Sequence, residues 1–154
     1  MKKSSHTSYH TIQFHETDMA GFAHFPQAFL WAEKAELEFM KSIGLSLIET
    51  GSELMKAWPR VHVEADYIDL LRFEDKLSIC IAIKNLGKHS ITYAIEIFKL
   101  EQNRWTPAVY VRMKTVYVEG LGPGLPAEKA PIPEEVLNKI AVTTEPMNPP
   151  APNK

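Results

Sequence analysis

Hydrophobic and polar positions first alternate with period two: Tyr9, Thr11 and Gln13 fall on one side and His10, Ile12 and Phe14 on the other, as in a strand. The period changes after a turn. From Pro26, the residues Phe29, Ala32, Leu37, Met40 and Ile43 recur near helical spacing, and Glu33, Lys34, Glu36, Glu38 and Lys41 supply polar faces. This predicts a helix of roughly 16 to 18 residues. Pro26 suits its first turn, where an N–H would be unpaired anyway, and Gly44 suits a left-handed cap at its end. Ala28, Ala32 and Ala35 form a small-residue stripe that lets such a helix lie close to a sheet.

Beyond Gly44 the pattern predicts another short helical turn over Leu45 to Glu49, then a loop through Thr50, Gly51 and Ser52. Strand periodicity returns at Trp58. Val61, Val63, Ala65 and Tyr67 alternate with Arg60, His62, Glu64 and Asp66, which predicts a strand with one covered face. Leu77, Ile79, Ile81 and Ile83 then alternate with Ser78, Cys80, Ala82 and Lys84, and a hairpin turn follows at Gly87 and Lys88. Ile91, Tyr93, Ile95 and Ile97 mark the next strand, Gln102 to Arg104 the next turn, and Trp105 to Glu119 the last long strand, irregular at Pro107. Strands joined by short turns are antiparallel neighbours, so the expected architecture is α+β: strand, long helix, then an antiparallel meander covered on one face by the helix. Gly120 to Pro126 close it with a loop, Pro131 to Ile140 predict a short terminal helix, and the Pro-rich residues 141–154 predict disorder. Residues 1–7 are expected to be flexible, and 8–140 to form one domain.

Composition narrows the function classes. A chain of 154 residues can bury a core as one domain. A formal net charge of -2 with 23% charged residues argues against nucleic acid or a polybasic membrane surface as partner. The single Cys80 leaves no internal disulfide and no Cys-rich metal site, which makes a cytoplasmic location the default expectation. Cys80 sits among apolar strand residues and reads as a buried small side chain. No apolar run is long enough for a membrane span, and the polar start lacks the apolar core of a signal peptide.

Candidate chemistry concentrates in the turn before the helix. Asp18 lies a few residues ahead of helix N–H groups that have no intrahelical partner, so a carboxylate and positive partial charge converge. Such a pair suits acyl chemistry, with the carboxylate attacking or activating water and the donors holding an oxyanion. It equally suits a plain helix cap. Gly21 supplies the backbone freedom for a sharp turn after Asp18.

Glu16-Thr17-Asp18, then Gly21, then Glu33 on the helix, resemble the hot-dog-fold thioesterases of the 4-hydroxybenzoyl-CoA thioesterase family, and the stretch PRVHVEADYIDLLRFEDKLSI, with Tyr67 and Asp75, resembles that family's second landmark. The likeness covers roughly residues 8 to 140. It implies a long helix wrapped by a curved antiparallel sheet, two subunits joining their sheets, often again to a homotetramer, and active sites between subunits. It places the catalytic carboxylate on Asp18 and the thioester-polarising backbone donor near Phe25. It implies no metal and no organic cofactor, with coenzyme A as part of the substrate. The expected substrate-site residues are Gly21, His24, Phe29, Glu33, Arg72, Lys88, His89 and Ser90. His24 either donates to substrate or is satisfied by backbone. Phe29 either lines an apolar acyl pocket or packs in the core. Glu33 is either a reserve carboxylate, as in a second branch of these enzymes, or part of a solvated helix face. Arg72 with Lys88, His89 and Ser90 offers basic side chains and N–H groups to coenzyme A phosphates.

The resulting expectation is a hydrolase that cleaves the thioester of a small aromatic or short- to medium-chain acyl-CoA. Other readings are an acyl-carrier-protein thioesterase, a hot-dog hydratase or dehydratase using Asp18 with His24, and a module that binds acyl thioesters without turnover.

Overall fold

The computed structural model describes residues 1–49 and 54–152. In chain order it contains β1 (Ser5–Thr11), a single 3-10 turn (Phe14–Glu16), α1 (Gln27–Ser42), β2 (Ile48–Glu49), β3 (Met55–Ala57), β4 (Arg60–Tyr67), β5 (Lys76–Leu86), β6 (Ser90–Glu101), β7 (Arg104–Val116), β8 (Val118–Gly120), β9 (Ala127–Lys129) and α2 (Glu134–Leu137). The strands form one five-stranded antiparallel sheet, β1-β5-β6-β7-β4, and a small second one, β2-β3-β8-β9.

The predicted helix forms with the expected length, 16 residues, and Pro26 occupies its N-cap. Gly44 takes φ +75, and Leu45 N–H turns back to Met40 C=O at 2.9 Å, the left-handed termination its sequence called for. The alanine stripe is buried together with Trp31, Phe39 and Met40. Each of these large apolar side chains contributes about 1.5–3 kcal/mol by leaving water. Leu37 differs from expectation. It shares its stripe with Leu30 and Glu33 on the side away from the sheet and is exposed.

Under α1 lie Leu77, Ile79, Ile81 and Ile83 of β5, Ile91, Tyr93, Ile95 and Ile97 of β6, and Val109, Val111 and Met113 of β7, all buried. The β6–β7 hairpin turns on Gln102 and Asn103, both at positive φ, and the register slips opposite Pro107 as its missing N–H requires.

Several expectations change. Leu45 to Glu49 is no helical turn: Ile48 and Glu49 pair with β3. The loop expected at Thr50 to Ser52 lies outside the described residues. The last strand breaks at Tyr117, so that Val118–Gly120 passes into the second sheet beside β9. The terminal helix is a single turn. β4 pairs with β7 and not with its chain neighbour β5, because residues 68–75 carry the chain back along the end of the sheet, where Asp75 C=O accepts Ile12 N–H at 3.0 Å. β4 is therefore an edge strand. Its apolar residues Val61, Val63 and Tyr67, expected to be covered, are exposed.

The two chain ends also differ from expectation. Residues 5–7 belong to β1, and Lys3 N–H binds Lys139 C=O at 2.9 Å. The described part of the Pro-rich tail lies along the outer face of the sheet. Thr143 N–H binds Ile83 C=O, Lys84 Nζ binds the carbonyls of Thr143 and Glu145, and Trp105 Nε1 binds Pro150 C=O at 2.9 Å. Prolines spare this segment backbone donors that would need partners. Cys80 and Ala82, on the face turned from the helix, are consequently buried, and burial pushes the Cys80 thiol up despite Thr7 and Ser78.

Candidate active site

A small hairpin presents Asp18. Thr17 bridges to Ala23, Asp18 N–H binds Phe22 C=O at 2.8 Å, and the reversal closes on Gly21 at φ +84. A side chain would meet nothing at Gly21, so the demand for glycine there comes from the backbone angle alone. The Asp18 carboxylate is exposed; Oδ1 accepts Ala20 N–H at 2.9 Å, and Oδ2 has no donor among the described residues.

The second arm of the hairpin leads into α1. His24 N–H binds Glu16 C=O, and His24 C=O accepts Gln27 N–H at 2.9 Å. Between them, Phe25 N–H has no partner among the described residues. Its carbonyl is held by Tyr67 Oη–H at 2.6 Å. Tyr67 thus fixes the peptide next to the free donor from the far edge strand, and partial burial raises its own pKa. Phe25 stays 64% exposed.

Asp18, His24 and Phe25 line one cavity of about 290 Å³. Its floor is apolar, formed by Ala28 and Trp31 of α1, Val109 of β7, and Phe22, Leu70 and Leu71. Asp69 on its wall is paired with Lys99 at 2.9 Å; that hydrogen bond and Leu70 N–H lower its pKa, so its charge is already met. A second, more open concavity adjoins it across Asp18 and His24 and is bounded by Phe14, Met19, Gly21 and Phe73. The arrangement offers a carboxylate oxygen and an uncommitted N–H at the mouth of an apolar slot.

Gly21, His24 and Phe25 lie beside Asp18. Arg72 is near: its backbone bridges Phe22, and its guanidinium lies 5.2 Å from the Phe22 ring centre. Phe29 packs against the core instead of lining the cavity. Glu33 lies beyond it, 3.7 Å from Arg60. Lys88, His89 and Ser90 are at the other end of the sheet. The 11 residues of β5 separate them from the Asp18 hairpin by about 35 Å at the usual strand rise. There the carbonyls of Lys88 and His89 accept Ile132 N–H and Tyr117 N–H, so this turn anchors the second sheet. One copy of the chain does not join the two ends.

Two residues of the site carry roles the sequence reading did not assign. Tyr67 was legible only as part of a motif, because its partner lies 42 residues away. Glu16 is 5% exposed and accepts bonds from Gln13, His10 and Trp31. The only local signal was a Glu three residues after a turn-opening Gln, the spacing of a capping box.

Among the described residues no group of three or more His, Cys, Asp or Glu is placed to hold a metal ion, and no helix is long and apolar enough to cross a membrane. The family model of the Thioesterase superfamily matches residues 20–106, beginning just after Asp18. The chain is 31% identical over 100 residues to a 1,4-dihydroxy-2-naphthoyl-CoA hydrolase of Prochlorococcus marinus (strain NATL1A), covering 60% of this chain and 65% of that protein. It thus spans slightly less than two thirds of the length of the curated relatives it matches. Among solved structures, a 1,4-dihydroxy-2-naphthoyl-CoA thioesterase from Synechocystis superposes with TM-score 0.70 at 21% identity, over 87% of this chain and 93% of that one. The 4-hydroxybenzoyl CoA thioesterase from Pseudomonas sp. strain CBS-3 gives TM-score 0.75 at 17% identity, over 88% and 99%. At these identities the structures speak to the fold, which is the hot-dog fold, one long helix against an antiparallel sheet. With more than half of its length matched by the family model, this chain belongs to the Thioesterase superfamily.

Proposed function

We propose that the protein hydrolyses the thioester of an acyl-CoA carrying a small aromatic or short- to medium-chain acyl group. One observation carries the reading: one oxygen of the Asp18 carboxylate and the Phe25 N–H, both without a partner among the described residues, border the same apolar cavity. The acyl group enters between Trp31 and Leu71, and the thioester carbonyl oxygen accepts from Phe25 N–H. Asp18 then attacks the carbonyl carbon or takes a proton from an attacking water. By either route the carbon–sulfur bond breaks with its electron pair on sulfur, a proton completes the coenzyme A thiol, and water supplies the oxygen of the free acid. Coenzyme A is part of the substrate, and the chemistry uses Asp18, Phe25 N–H and water.

The site is completed by a second copy of the chain in this reading. β4 ends the five-stranded sheet with no further strand beyond it among the described residues, Val61 and Val63 are exposed along it, and Tyr67 lines the cavity, features that suit sheet-to-sheet pairing into a homodimer. Arg72 offers a guanidinium to the coenzyme A phosphates at the exposed rim. Lys88, His89 and Ser90 can serve the same ligand only from the other copy. A buried free thiol at Cys80 suits a reducing, cytoplasmic setting.

The test is thiol release from a panel of benzoyl, phenylacetyl and fatty acyl-CoAs by the wild type and Asp18→Asn. Release by the wild type and its loss in the variant are expected. Undiminished release by the variant, or binding with no release by the wild type, would sink the reading; loss of enoyl absorbance without thiol release would assign a hydratase instead.

A further inference from the structure

The proposed chemistry leaves unused a buried carboxylate at the junction of β1, the 3-10 turn and α1. Glu16 Oε1 accepts Gln13 N–H and the imidazole of His10, each at 2.7 Å. Oε2 accepts Trp31 Nε1–H at 2.7 Å and lies 3.1 Å from the same His10 nitrogen. An ionised carboxylate only accepts, so His10 Nε2 carries a hydrogen here. Burial alone would push this carboxyl up, yet the donors from Gln13, His10 and Trp31 outweigh it and hold it below the ordinary value.

Its backbone is tied to the site as well. Glu16 C=O accepts His24 N–H at 2.8 Å, the amide next to Phe25 N–H. Two residues on, Asp18 starts the hairpin whose other arm is Phe22 and Ala23. Trp31, held by the side chain, lines the cavity floor. One residue therefore joins the arm carrying Asp18, the arm leading to the Phe25 donor and the floor of the acyl slot.

We propose that Glu16 is the positioning residue of this site, its buried carboxylate holding Asp18 and Phe25 N–H at the spacing the thioester needs. The inference rests on the acyl-CoA thioesterase reading. A displacement of about 1 Å between reacting groups costs on the order of 100-fold in rate, whereas binding in the apolar slot depends little on it. Glutamine at this position replaces one acceptor by an NH2 that faces donors, while keeping shape and volume.

The experiment measures kcat and KM on the best acyl-CoA of the panel for wild type, Glu16→Gln, Asp18→Asn and the double variant, with thermal unfolding as a fold control. Glu16→Gln is expected to lower kcat about 10- to 100-fold with KM within about threefold. The double variant should lose clearly less than the product of the two single losses, because part of what Glu16 does acts through Asp18; a loss independent of Asp18 would multiply with it in full. A folded Glu16→Gln enzyme with wild-type kcat, or losses that multiply, would overturn the inference while leaving the thioesterase reading intact. If Glu16→Gln does not fold, His10→Phe decides: it keeps a ring beside Trp31, now 5.7 Å between centres, and removes one donor. A kcat loss with unchanged KM supports the proposal, and a wild-type kcat overturns it. A wild type inert toward every acyl-CoA overturns both readings together.

Discussion

Two buried glutamates, one ahead of α1 and one on it, behave in opposite ways. Glu16 has three donors, from Gln13, His10 and Trp31, and its carboxyl is held below the ordinary range. Glu36, fully buried on the helix itself, is bonded to Arg60 Nη2 at 2.6 Å, and its Oε1 has no partner among the described residues. Burial pushes its pKa to about 7, with Arg60 opposing and Glu33 adding to the rise. The hydroxyls of Tyr93 and Thr115 are likewise buried without partners among the described residues, and burial together with the Glu36 charge drives the Tyr93 phenol well up. Burial by itself does not decide a carboxyl's state; the number of donors that replace water does.

That contrast is open to measurement. Replacing Glu16 by Ala strands three donors, two of them on groups packed between strand and helix, and should cost about 3–6 kcal/mol of unfolding free energy near neutral pH. Because the folded pKa is depressed, the wild-type contribution exists above the unfolded value and disappears as pH falls through the folded one. The gap between wild type and variant in urea unfolding should therefore close in acid. A gap that stays constant down to acid pH would mean that packing, and not the charge, supplies the effect.

Glu36 should show the reverse slope. Below its ordinary value of 4.5 it is protonated in the folded and unfolded chains; between there and about 7 only the unfolded chain releases its proton. Stability then falls as pH rises across that window, by on the order of 3 kcal/mol, and is level above it. Glu36→Gln, neutral throughout, should lose this decline and gain on the wild type near pH 8 relative to pH 5. Equal pH slopes in the two proteins would break the comparison.

The smallest effect belongs to Glu33→Gln. Its side chain is about half exposed and 3.7 Å from Arg60, so its removal should change stability by no more than a few tenths of a kcal/mol. It should nevertheless lower the folded-state titration of Glu36, followed by NMR of the carboxyl carbon, because one like charge is gone. A rise would mean that Glu33 acts chiefly by holding Arg60.

Much of the candidate site's local geometry was legible because its signals are local. Asp18, Gly21 and Phe25 lie within eight residues, and a sharp turn into a Pro-capped helix is a short-range event that Gly21 and Pro26 encode directly. Glu16 stood in the same motif, but its role depends on His10 and on Trp31, which reach it only after strand and helix have packed. Lys88, His89 and Ser90 looked similar in chemistry to Arg72, and nothing in their sequence says that they occupy the opposite end of a long hairpin.

Period and punctuation by themselves determined the helix, its alanine face, the β5-β6-β7 meander, the turn at Gln102 and Asn103 and the place of Asp18 beside a helix start. These depend on neighbours within a few residues, where backbone sterics and side-chain spacing act. Tertiary structure alone decided that β4 pairs with β7 and stays an edge, that the Pro-rich tail shields the outer sheet face, and that Glu16 is saturated with donors while Glu36 is starved of them. Each of those outcomes turns on which distant groups replace water around a strand edge, an apolar face or a carboxylate, and local periodicity carries no record of distant partners.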